Sequence, residues 1–195
     1  MVCSENLQVF GIMPRGPKMR LIAFIVASIA IAATVPHPAA AQGWVEYAYP
    51  GDAFTVAFPA DPKIEITTYQ AADGRLIEAR LYSVSQDGGI FRMMVAEFPD
   101  ATAQENAVLD HAVKTLSEGG EVKLDIPHRI SRIYGRQLSI VGAGGSRSMA
   151  AVFYYNRRLY LIEGKALPGW ADATADAIRF QQSLVFTDEG TNRSN

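Results

Sequence analysis

The chain has 195 residues, with 18 Lys plus Arg against 20 Asp plus Glu, a formal net charge of −2, 49% hydrophobic residues and one cysteine. So even a balance excludes a strongly basic nucleic-acid-binding domain, and the lone Cys3 excludes an intramolecular disulfide or a cysteine-based metal cluster. No run reaches the roughly 20 apolar residues of a fully spanning helix.

The N-terminal segment has the order of an export signal. Arg15, Lys18 and Arg20 are followed by an apolar run from Leu21 to Ala33 and then by the small residues Ala39, Ala40 and Ala41. Charge, apolar core and an Ala-x-Ala site predict a cleavable leader cut between Ala41 and Gln42. Translation from Met13 or Met19 gives a leader of ordinary length. The expected organisation is an upstream segment plus signal peptide over 1–41, a single globular domain over 42–187, and a polar, disordered tail over 188–195. No cysteine follows the cut to take a lipid, and no twin-arginine pair precedes the apolar run. The predicted address is the periplasm, without a stable membrane anchor and without nucleic acid as a partner.

In chain order, Trp44 to Tyr49 and the alternating Phe54, Val56 and Phe58 read as two strands around the turn Pro50-Gly51-Asp52. Ile64 to Tyr69 is a third strand, Asp73-Gly74 a hairpin signal, and Arg75 to Ser85 a fourth. Asp87-Gly88-Gly89 turns into a fifth, Ile90 to Phe98. The period then changes. Thr102 and Glu105 have capping-box spacing, and Val108, Leu109, Ala112, Val113 and Leu116 recur at helical intervals up to Gly119-Gly120, predicting a helix over 103–118. Strands resume at Val122 to Ile126, where Pro127 is expected to interrupt pairing. Arg129 to Val141 reads as one extended segment, Gly142 to Gly145 as a loop, and Ser148 to Tyr155 and Arg158 to Gly164 as strands around Asn156-Arg157. A last helix starts near Pro168 to Ala171 and carries Trp170, Ala173, Ala177, Phe180 and Leu184 on one side.

Two strands are apolar on both sides. Phe91, Met93 and Val95 alternate with Ile90, Met94 and Ala96, and Ala151, Phe153 and Tyr155 with Ala150, Val152 and Tyr154. A strand wet on one side alternates cleanly, so both faces must be covered. The hairpin turns make the sheet antiparallel, and helices must supply the outer layers. The expected fold is therefore α+β: an antiparallel β-sheet with helices on both faces, an α/β/α sandwich.

Phe-x-Val-x-Phe-Pro-x-x-Pro at Phe54 to Pro62 resembles the opening of PsbP/Mog1-like domains, and Arg158-Leu159-Tyr160-Leu161 followed by Ala177 to Phe186 resembles their close. The chain also resembles small exported proteobacterial proteins without an assigned role. The resemblance implies an α/β/α sandwich and an accessory function, since its characterised members are a photosystem subunit aiding the oxygen-evolving complex and a nuclear factor binding a small GTPase. The matching residues are apolar and turn positions and carry no site for either activity.

Residues able to carry chemistry are scattered. Past the cut only His111 and His128 remain as imidazoles, too few for a structural zinc site, so no metal and no cofactor is expected. Ser139, Ser146 and Ser148 near the glycine loop lack a Gly-x-Ser-x-Gly elbow. Gly142-Ala143-Gly144 lacks the third glycine and the following helix of a dinucleotide site. Glu163, in an apolar strand, is expected to pair with a neighbouring arginine. Charge is more informative: residues 123–165 carry 8 basic and 2 acidic groups. Arg132, Tyr134, Arg136, Arg157 and Arg158 are the candidate surface for an anion or a partner, because guanidinium forks hold carboxylates and phosphates in two-point contacts. The functional expectation is a non-catalytic binding or accessory module for another periplasmic protein or an anionic ligand. The alternative is a small-ligand carrier or hydrolase using a pocket between helix and sheet.

Overall fold

The computed structural model describes residues 43–99 and 104–187. The leader, its cut after Ala41, the capping residue Thr102 and the tail over 188–195 lie outside the described residues. Two antiparallel sheets and two helices make up the fold. A small sheet contains β1 (Val45–Tyr49), β2 (Phe54–Phe58) and β10 (Val185–Phe186) in the order β1-β2-β10. A seven-stranded sheet contains β3 (Lys63–Gln70), β4 (Leu76–Gln86), β5 (Gly89–Glu97), β6 (Glu121–Ile130), β7 (Ile133–Val141), β8 (Arg147–Tyr155) and β9 (Arg158–Ala166). Its order is β3-β4-β5-β9-β8-β7-β6, so β3 and β6 are its edges. Helices α1 (Glu105–Ser117) and α2 (Ala173–Gln182) follow β5 and β9.

The two-residue period of the central strands divides the core in two. Met93, Val95, Ala151, Phe153, Tyr160 and Ile162 point to one side, where they cluster with Phe54, Val56 and Phe58 of β2 and Phe180 of α2. Ala96, Ala150, Val152 and Leu159 point to the other, where they cluster with Val108, Leu109, Ala112 and Val113 of α1. The first cluster is rich in rings: Phe58 and Phe91 lie 4.9 and 5.4 Å from Phe180, and Phe186 lies 4.9 Å from Tyr160. Tight turns connect the strands. Asp87 and Gly88 (φ 48° and 72°) and Asn156 and Arg157 (φ 49° and 63°) both have the two positive φ values that match the twist of a hairpin.

Three expectations are corrected. Trp44 to Tyr49 and Phe54 to Phe58 do not extend the main sheet; the strand is Val45–Tyr49, and it joins β2 in a second sheet completed by the distant β10. Pro127 does not interrupt pairing. It lies inside β6 opposite Arg136, because β6 is an edge strand and a missing N–H costs nothing on its open side. The extended segment Arg129 to Val141 is instead a hairpin, turned at Ser131, whose φ is 55°. A bulge in β6 between Val122 and Leu124 shifts the register, which places Asp125 and Pro127 on the α1 side and Leu124, Ile126 and His128 on the other. Helix α1 begins at Glu105, two residues later than predicted, with Gln104 as its N-cap and no side-chain cap bond among the described residues.

Candidate functional site

The five candidate surface residues are divided by the pleat. Arg136 shares the parity of Leu138 and faces α1. Its Nε donates to Asp125 at 2.9 Å, one terminal nitrogen reaches Asp110 on α1 at 2.6 Å, and the other reaches Asp125. Asp125 first, and then Asp110, raise its pKa above the ordinary arginine value despite partial burial. Tyr134 is on the same side, exposed, with the Arg129 guanidinium 5.9 Å from its ring centre. Arg158 shares the parity of Tyr160 and faces the opposite way, with Glu97 at 3.6 Å. Arg132 and Arg157 sit in the β6–β7 and β8–β9 turns, which the antiparallel register places at one end of the sheet. Arg157 donates to the Pro99 carbonyl at 3.4 Å. The structure thus brings Tyr134 and Arg136 together beside two acids, brings Arg132 and Arg157 to one sheet end, and sets Arg158 apart.

The sequence reading passed over the most elaborate polar cluster. Asp52, read as part of a plain turn, is 2% exposed. Its carboxylate accepts from Nε of Arg80 at 2.7 Å, from a second Arg80 nitrogen and from the Tyr82 hydroxyl, while the Tyr160 hydroxyl donates to its backbone carbonyl at 3.1 Å. Burial alone would push the Asp52 carboxyl up, but the hydrogen bonds from Arg80 and Tyr82 outweigh it and hold it below the usual aspartate range. Ala53, the next residue, has φ 57°. The cluster fastens the β1–β2 turn of the small sheet to β4 of the large one. A Pro-Gly-Asp turn running directly into a strand that is otherwise apolar on one face was its sequence signal.

A second overlooked feature lies between α1 and the β3–β4 hairpin. Tyr69 at the end of β3, Phe98 after β5 and His111 on α1 wall a cavity of about 240 Å³, with Ala71, Ala107 and Val108 among its small and apolar lining residues. His111 is half-buried on α1. Its Nε2 lies 2.9 Å from the Gln70 carbonyl oxygen, which only accepts, so Nε2 carries the proton. Its ring meets that of Tyr69 edge-on at 6.0 Å. Tyr69 is 5% exposed, and its hydroxyl is buried with no hydrogen-bond partner among the described residues. Burial pushes this phenol up to about 12. The mouth carries Asp73 and Arg75, paired at 2.6 Å.

The remaining candidates stay apart. His128 is on β6, against Phe153 at 5.6 Å and on the opposite side of the sheet from His111; burial lowers its pKa. Glu163 has no arginine partner among the described residues. Its carboxylate accepts from the Ser148 hydroxyl at 2.8 Å, and Arg92 is its cross-strand neighbour on β5. Gly142 to Gly145 form the β7–β8 turn, closed by a Gly142 N–H bond to the Ser146 carbonyl at 2.9 Å. Among the described residues no group of three His, Cys, Asp or Glu side chains is placed to hold a metal ion, and no helix is long and apolar enough to cross a membrane.

No family model matches the chain, and no curated protein does. Among solved structures it is similar to cyanobacterial PsbP from Synechocystis sp. PCC 6803, determined in solution, at 10% identity and a TM-score of 0.47, over 76% of this chain and 95% of that one.

Proposed function

We propose that this chain is an exported, periplasmic binding or accessory module without catalysis, a PsbP/Mog1-like α/β/α sandwich that docks an extended strand of another periplasmic protein along β3. One observation carries this reading. The cover over the side of the sheet that faces β2 and α2 stops at the Asp52–Arg80 pair. Beyond it Ile66, opposite Arg80 in the register, and Leu76, opposite Gln70, are 65% and 70% exposed, with Ile64 beside them.

The two sheet edges differ in a way that supports the reading. β6 is protected against pairing by Pro127 and by Glu121, Lys123, Asp125 and Arg129. β3 contains no proline, and its two charges, Lys63 and Glu65, neutralise each other at 2.8 Å on the far side from Ile64 and Ile66. An edge strand with open N–H and C=O groups and alternate isoleucines suits strand addition: main-chain bonds supply affinity, and the apolar row selects a partner strand with matching alternation.

The test places a photoreactive benzophenone amino acid at Ile66 and, separately, at Leu124 on β6, and maps crosslinks in periplasm. Crosslinks from position 66 to one segment of a second polypeptide, abolished by Ile64→Asp at unchanged Tm, support the proposal. Equal yields at both positions, crosslinks only to another copy of this chain, or none at all, overturn it.

A further inference from the structure

Trp170 lies in the loop between β9 and α2 and is 53% exposed, yet its ring is fixed. A Cβ added at Gly88, whose φ is 72°, would fall closest to Cγ and Cδ2 of the indole and 2.6 Å from the Trp170 Cβ. Those distances set the Gly88 backbone above the ring plane rather than at its edge. One face of the indole therefore rests on the β4–β5 turn, and the other is open. The loop backbone holds this pose. The Leu167 N–H donates to the Gly88 carbonyl at 2.8 Å, the Trp170 N–H to the Leu167 carbonyl at 3.2 Å, and the Ala173 N–H to the Trp170 carbonyl at 3.2 Å. The open face of the ring adds nothing to the core, and tryptophan and arginine are the side chains enriched where binding energy concentrates.

The indole is one wall of a groove of about 380 Å³ between the end of the large sheet and the first turn of α2. Arg147, the first residue of β8, is opposite Ala166 in the register and shares the α2 side of the sheet with it. It is exposed, and its guanidinium has no hydrogen bond or ion pair among the described residues. It is the one charged residue among the described residues of the lining, and Thr174 adds a hydroxyl. The first N–H groups of α2 are already taken, Thr174 donating to the Ala171 carbonyl and Ala175 to that of Asp172, so side chains make the site rather than the helix end. The groove takes no residue from β3 and is separate from the docking row there.

These features select a ligand. The open indole face favours a flat body that presents C–H groups to the negative face of the ring. The free guanidinium favours a carboxylate held in two-point contact. The wide mouth leaves the far side of the ligand in water, which suits a hydroxylated ring and gives no gain to a purely apolar one. We propose that this groove binds an acidic saccharide, with one pyranose ring stacked on Trp170 and its carboxylate on Arg147.

Trimers of galacturonate and of mannuronate are the probes, each beside its neutral methyl ester, with benzoate as the carboxylate that is not a sugar. Binding is read by NMR from the Trp170 indole N–H and the backbone amides of Arg147 and Thr174. At least one trimer is expected to shift these signals saturably and to bind about tenfold more tightly than its ester, the factor of a charge-assisted hydrogen bond at an exposed site. Arg147→Gln is expected to bring acid and ester to equal affinity. Trp170→Ala is expected to abolish binding of both, and Trp170→Tyr, which keeps an aromatic face, to retain it in weakened form. No saturable shift with either trimer, equal affinity of acid and ester for the unaltered protein, or a preference that persists in Arg147→Gln overturns the proposal. So does undiminished binding in Trp170→Ala, or benzoate binding as tightly as the better trimer. The crosslinking result at Ile66 is unaffected by any of these outcomes.

Discussion

Gly164 on β9 and Ala177 on α2 touch backbone to backbone: a Cβ added at Gly164 would stand 2.5 Å from the Ala177 carbonyl oxygen and 2.6 Å from its Cα. The helix lies this close to the sheet only because position 164 has no side chain, and that approach seats Phe180, fully buried, among the rings of the aromatic core. Gly164→Ala is expected to push α2 outward and to cost about 1–3 kcal/mol, as overpacking does elsewhere. Gly51→Ala, where an added Cβ meets nothing within 4 Å, is the near-neutral control. Urea unfolding of the two variants measures the difference.

The Asp52–Arg80 pair predicts an asymmetric pair of mutants. Arg80→Ala leaves a buried carboxylate without its cation. Removing one partner of a fully buried pair costs about 3–5 kcal/mol, and because the Arg80 side chain is 35% exposed we expect about 2 kcal/mol. Asp52 is held below its ordinary pKa, so its contribution is present above about pH 4 and is lost as the pH falls through the lowered folded value. Asp52→Asn should therefore be less stable than the unaltered protein at neutral pH and show a flatter acid limb. Tm against pH between 2 and 7 checks both.

His128 has the opposite chemistry and acts in a different window. Its pKa is lowered by burial beside Phe153, so the folded state resists protonation. Its contribution is present above about pH 6.5, the unfolded value, and falls as the pH drops through the lowered folded value. His128→Gln is expected to remove a small step in stability just below pH 6.5 while leaving the acid limb due to Asp52 in place. Denaturant midpoints at half-unit pH steps resolve the two.

Tyr69 makes an alkaline prediction. With its phenol pushed up to about 12, folding is favoured fully below about pH 10 and loses that support as the pH rises toward the folded value. Tyr69→Phe removes a buried hydroxyl that has no partner among the described residues, so at neutral pH it is expected to be neutral or slightly stabilising, and above pH 10 to lose less stability than the unaltered protein.

Much of the local structure was legible in the chain. The alternation of Phe91, Met93 and Val95 against Ala96, and of Ala151 and Phe153 against Ala150 and Val152, announces strands covered on both sides, and the two clusters of the core divide along those parities. Asp87-Gly88 and Asn156-Arg157 mark turns because few residue types accept positive φ. Helix α1 follows from the spacing of Val108, Leu109, Ala112 and Val113. These are properties of neighbours in sequence, and periodicity measures them.

Only the tertiary structure decided which strands pair. Phe54 meets Phe186 across more than half the length of the described chain, Pro127 is tolerated because β6 is an edge, and the β6 bulge turns Ile126 away from α1. No local signal reports a partner so distant. The same holds for the sites. Arg136 belongs to Asp110 and Asp125, Arg80 to Asp52, and the Tyr69 cavity exists only where a hairpin end and a helix both present alanine. Residue types show what a side chain is able to do; the closure of the fold decides what it faces.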